Sequence, residues 1–144
     1  MEASGNWITW ALLSAAFAAA TAVLAKIGIQ GVDSDLATLV RTIVIVAILG
    51  VFVHATGKWS NPLLLSPRTL LFLTLSALAT GASWICYFRA LQLGPASLVA
   101  PVDKSSVVLV ALFAFAFLGE RPSPREWLGL ALISSGVLVL AIRK

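Results

Sequence analysis

Apolar residues run along this chain in five long stretches, at residues 7–29, 36–53, 69–91, 96–118 and 126–142. Each is about 17 to 25 residues, the length a helix rising about 1.5 Å per residue needs to cross about 30 Å of hydrocarbon. The polar clusters between them carry helix punctuation. In "GVDSD" Gly31 is a helix stop, and Asp33, Ser34 or Asp35 is the next cap. "NPLLLSPRT" offers Ser66 as an N-cap with Pro67 at the first helical position. "LGPAS" puts Gly94 after a helix end and Pro95 at a start, and "SPREW" makes Ser123 and Glu126 a capping box around Pro124. Connections this short join antiparallel neighbours and leave no room for a soluble domain. The pattern predicts an all-α integral membrane protein of the cell membrane, with five transmembrane helices in one compact bundle and residues 1–144 forming a single domain.

Composition agrees on the solvent. Hydrophobic residues make up 60% of the chain and charged residues 11%, whereas soluble domains carry about 25% charged residues. The net charge of +4 comes from 10 Lys and Arg against 6 Asp and Glu, which fall mostly between or at the edges of the apolar runs. That distribution concerns orientation and substrate, and it points to membrane lipids as surroundings with no nucleic-acid partner. Cys86 is alone, and one histidine leaves no His/Cys set with metal-ligand spacing, so neither metal nor cofactor is expected. No basic residue precedes Trp7 and no small-residue cleavage site ends a short apolar stretch, so the N-terminus is expected to be retained.

An odd number of spans puts the termini on opposite sides. The N-terminal side holds Lys58, Arg68, Arg121 and Arg125; the other holds Arg143 and Lys144, with Lys26, Arg41, Arg89 and Lys104 near helix ends. Four basic residues face six, or two when the embedded ones are excluded, and the positive-inside rule does not choose. Trp7, Trp59 and Trp127 gather at the N-terminal side as an interfacial belt. Small residues mark helix-packing faces: a run of alanines in the first span, Ala77 with Gly81, Ala79 with Ser83, and Gly129 with Gly136 as a seam within one chain or between two.

The segment "YFRALQLGPASLVAPV", followed by "FAFLGERPSPREWLGLALISSGVLVL", resembles the second half of the EamA-type repeat of the drug/metabolite transporter superfamily. The Gly119-Glu120-Arg121 block with Gly129 and Gly136 carries the most specific part of the likeness, and "WALLSAAFAAATAVLAKIGI" with Arg41 extends it over nearly the whole chain. The resemblance implies a transporter. Members of that superfamily typically have ten spans as two inverted five-span repeats, whereas this chain holds one. Two copies in opposite orientations, an antiparallel homodimer with dual topology, would restore the pair, and an unbiased charge count suits such a chain. The related four-span multidrug exporters place a glutamate in the first span; here only Ser14 and Thr21 are polar in that region, which does not support a lipophilic-cation exporter.

Because spans alternate direction, Lys26, Arg41, Arg89, Asp103 and Lys104 share one half of the bilayer. Asp103 is seven residues beyond Ala96, roughly 10 Å below the interface. An ionised Asp or Lys costs about 2.5 to 3.5 kcal/mol at the membrane centre and less nearer its edge, so these groups are expected to face the bundle interior or a wet cavity. Pro101 removes a backbone donor and kinks the helix beside them. Lys26 and Arg89 are close enough to their helix ends to snorkel to the headgroups. Adjacent helical positions differ by about 100°, so Asp103 and Lys104 do not share a face, and Arg41 is the better partner for Asp103. A stripe of Thr80, Trp84, Tyr87 and Leu91 either packs or lines a cavity; Glu120 and Arg121 read as solvated cap residues.

A transporter subunit accounts for these features, with Asp103, Lys104, Arg41, Trp84 and Tyr87 as substrate or coupling residues. Four embedded cations against one embedded acid favour an anionic or zwitterionic small-molecule substrate. An accessory membrane protein packed against a larger partner would use the same faces. Enzyme activity is not expected: His54 lies near a span end without a nucleophile, and no carboxylate pair or triad can be assembled, so no catalytic residue is named.

Overall fold

The computed structural model describes residues 3–142, so Arg143 and Lys144, counted above for orientation, lie outside the described residues. Among the described residues there are helices and no strands. They are α1 (Ala3–Gly28), α2 (Ser34–Ala55), a short 3-10 turn (Pro62–Leu64), α3 (Pro67–Leu93), α4 (Ala96–Asp103), α5 (Ser106–Phe113), a π-helical turn (Ala114–Leu118) and α6 (Pro124–Ala141). Counting α4, α5 and the π turn as one interrupted span, five helices are long and apolar enough to cross a membrane. Large side chains such as Phe17, Val51, Leu78, Leu109 and Leu132 stand exposed along all five. Water would penalise that surface and lipid does not. The chain is an integral, multi-pass membrane protein.

The caps follow the sequence where the chemistry is local. Ser66 accepts from the Thr69 amide at 3.1 Å ahead of Pro67. In the capping box the Ser123 amide donates to Glu126 at 2.6 Å and the Glu126 amide donates to the Ser123 hydroxyl at 3.4 Å. Of the three candidates before α2, Asp33 is the cap, accepting from the amides of Asp35 and Leu36 at 2.9 and 3.1 Å. Gly31 and Gly119 adopt φ of 74° and 70°, a left-handed conformation that favours glycine and ends a helix.

The chain divides into two compact units, one comprising Val23–Leu93 and the other the chain up to Ala22 and from Gly94 onward. In the first, α2 packs along α3, with Ile29, Phe88 and Leu91 buried. Two hydrogen bonds tie the end of α3 back: Lys26 Nζ donates to the Leu91 carbonyl, and Gln92 Nε2 donates to the Val32 carbonyl at 2.7 Å. In the second, α4 and α5 pack against α6. There the fourth span is broken at Lys104 and Ser105, three residues after Pro101. The proline leaves the Ser97 carbonyl without its usual donor. One turn later the ladder tightens to three-residue spacing, with Ser105 donating to Val102 at 3.0 Å, Val107 to Lys104 at 3.0 Å and Val108 to Ser105 at 3.1 Å.

Candidate functional site

In the Val23–Leu93 unit, a cavity of about 610 Å³ opens beside α2 and α3. Asp35, Thr38 and Thr42 line it from α2 at positions i, i+3 and i+7, one helix face. Ser76, Thr80 and Trp84 line it from α3, again at four-residue spacing. Three threonine protons are committed to their own helices: Thr38 donates to the Ser34 carbonyl at 2.8 Å, Thr42 to the Thr38 carbonyl at 2.7 Å and Thr80 to the Ser76 carbonyl at 2.9 Å. What remains of each hydroxyl is acceptor capacity.

Among the described residues Asp35 is the one charged residue lining this cleft, and Arg89 holds it in a two-pronged pair. Arg89 Nε donates to Oδ1 at 3.0 Å and Nη2 to Oδ2 at 2.6 Å. The Ser34 hydroxyl adds a 3.4 Å contact to Oδ1. Because Asp33 caps α2, the Asp35 carboxylate is left to meet Arg89. Sequence reasoning sent Arg89 toward the headgroups and counted Asp103 as the embedded acid on this side; the structure adds a partner for Arg89, the Asp35 carboxylate at the start of α2. The signal was present, since Asp35 near the start of α2 and Arg89 near the end of α3 lie at the same depth in antiparallel neighbours.

Arg41 is half-buried. Its Cζ sits 4.5 Å from the centroid of the Trp84 ring and 5.1 Å from that of Phe88, where the ring quadrupoles attract a cation. The expected stripe is therefore divided. Thr80 and Trp84 line the cleft and Leu91 is fully buried. Tyr87 turns its edge to Phe88, with centroids 6.3 Å apart at 65°, and is not among the cleft residues. Phe88, four residues after Trp84 and outside the expected stripe, joins it beside the Arg41 guanidinium.

In the other unit, Asp103 is the last residue of α4 and Lys104 its C-cap. Lys104 Nζ reaches Asp103 Oδ2 at 3.3 Å despite the 100° between adjacent positions, because the lysine chain is long and the helix is interrupted there. Asp103 and Arg41 thus belong to different units, each with a local partner. Glu120 and Arg121, read above as solvated caps, line a second cavity of about 520 Å³ with Val107, Ala111, Gly129 and Ile133. Among the described residues no three His, Cys, Asp or Glu side chains gather as a metal ion would require.

An apolar five-span chain with a polar cleft and an interrupted fourth span has relatives. The "Uncharacterized transporter in cobO 3'region" of Sinorhizobium sp. is 56% identical over 139 residues, covering 96% of this chain and 99% of the relative. The "Probable 4-amino-4-deoxy-L-arabinose-phosphoundecaprenol flippase subunit ArnE" of Yersinia pestis (strain Pestoides F) is 36% identical over 73 residues, covering 51% of this chain and 64% of the relative. Its counterpart in Yersinia pseudotuberculosis serotype O:3 (strain YPIII) matches equally. The match to these flippase subunits thus spans just under two thirds of their length. No solved structure matches the chain significantly. The pattern of the EamA-like transporter family extends over residues 5–142, which takes in every span described above, and the chain belongs to that family.

Proposed function

We propose that this five-span chain acts as one domain, half of a transporter completed by a second copy in the opposite orientation in the cell membrane. It moves a small anionic or zwitterionic metabolite by alternating access and performs no catalysis. The observation that carries this reading is the interruption of the fourth span beside Asp103 and Lys104, because transporters build solute sites from broken helices whose freed backbone and charges face a cavity. Asp103 is the coupling residue. Lys104 is the cation beside it, and Arg41 holds the Trp84 ring, which lines the α2–α3 cleft.

Two measurements test this together. Purified protein reconstituted into liposomes takes up solute from a metabolite pool, and a C-terminal tag labelled from each side of intact cells is found on both faces. A single orientation in every molecule overturns the antiparallel pair, and the absence of uptake for any solute overturns transport by this chain alone. A second reading, an accessory subunit held against a larger partner, draws support from the word "subunit" in the names of the flippase relatives. A Cβ added at Gly129 or Gly136 meets nothing within 4 Å, which leaves the α6 seam open to a neighbour. That reading expects stable co-purification with the partner and no uptake without it.

A further inference from the structure

The geometry points to the Asp35–Arg89 pair as an exchange site for a zwitterion: the substrate's ammonium takes Asp35, its carboxylate takes Arg89, and its hydrocarbon part lies in the α2–α3 cleft. This inference rests on the reading of the chain as a transporter subunit, and it names a substrate class and two recognition residues for that cleft.

Three observations carry it. The pair is accessible, with side-chain exposures of 60% for Arg89 and 49% for Asp35, so a solute reaches both charges without unfolding a helix. The cleft beside it, about 610 Å³, is within the size range of small-molecule sites. Much of the polar wall suits a donor: the Asp35 carboxylate accepts only, and Thr38, Thr42 and Thr80 have already spent their protons on carbonyls of their own helices, while the Ser76 hydroxyl and the Trp84 indole N–H are the donors on the α3 side. An ammonium brings three protons and one positive charge to that wall. Arg89 meanwhile offers a planar fork matched to a carboxylate. Leu39, Leu73 and Ile85 supply apolar wall for a hydrocarbon side chain.

Charge balance then selects among substrates. A simple anion that captures Arg89 leaves Asp35 without its partner, and a simple cation that captures Asp35 leaves Arg89 without its own, so either exchange forfeits one charge-assisted pair. A zwitterion replaces one internal ion pair with two and strands neither group, so the exchange leaves the net charge of the span unchanged. The Arg41 guanidinium stays over Trp84 and Phe88, holding the indole that forms part of the cleft wall.

The test is calorimetric titration of the purified full chain in detergent with three matched probes: L-leucine, isopentylamine, which lacks the carboxylate, and 4-methylpentanoate, which lacks the amine. L-Leucine is expected to bind at least about tenfold more tightly than either single-charge analogue. The double variant Asp35→Asn with Arg89→Gln keeps hydrogen-bonding groups without charge, and it is expected to lose that preference while retaining its helical spectrum and elution volume. Should the double variant not fold, Leu73→Trp serves instead, because it fills the cleft without altering the pair and is expected to weaken L-leucine to the level of the analogues. Equal affinity for the three probes, no binding of any, or preference surviving these variants overturns the exchange site. Uptake into liposomes separates the two readings. Preferential L-leucine binding without uptake overturns transport and leaves the site standing; uptake that persists unchanged in the double variant leaves transport standing and overturns the site.

Discussion

Replacing Pro101 by alanine should straighten the fourth span and slow transport without weakening substrate binding. Position 101 is the sixth residue of α4, beyond the helix start where missing donors cost nothing, so the proline carries the full interior penalty. Alanine there supplies an N–H to the Ser97 carbonyl and removes the ring that crowds it, a change of about 3 kcal/mol in favour of continuous helix. That corresponds to roughly a 150-fold shift between interrupted and continuous forms, enough to depopulate a state that alternating access must visit. Hydrogen exchange of the amides from 101 to 108 reads the backbone directly: Lys104, Ser105 and Val107 should be protected more strongly in Pro101→Ala than in the parent chain. Initial uptake rate in liposomes should fall while the binding constant holds. If exchange across this segment is unchanged, the interruption is set by Asp103 and Lys104 and not by the proline, and the reasoning fails at its first step.

Asp103→Asn keeps shape and removes charge; it should abolish coupled uptake while the protein elutes as before, and normal uptake at every pH tested would make Asp103 a structural anchor. Gly119→Ala places a side chain at a φ of 70°, which should cost about 1 to 2 kcal/mol of stability by chemical denaturation in detergent. Ser123→Ala removes the hydroxyl that accepts from the Glu126 amide and should cost about 1 kcal/mol, whereas Ser123→Thr should restore most of it. Adding two or three lysines at the N-terminus should bias insertion to one orientation and reduce uptake unless an oppositely biased copy is supplied, as read by labelling and transport together.

Much of the architecture was legible because it is local. The span lengths follow from uninterrupted apolar runs, the Ser66 and Ser123 caps from hydroxyls placed before proline, and the break in the fourth span from Pro101, all within a few residues of one another in sequence. Tertiary structure decided which charges meet. Asp35 and Arg89 are 54 residues apart, and the short runs of hydroxyl groups on α2 and α3 are too weak beside their apolar surroundings to say from either helix alone which neighbour that face meets. Helical spacing relates Thr80 to Trp84 on one axis, but only the packing of α2 along α3 sets Trp84 and Phe88 beside Arg41. For the same reason the partner of Arg89 was only half legible: a long cation near a span end reaches toward the headgroups, and which carboxylate it meets there depends on the antiparallel neighbour that presents Asp35 at the same end.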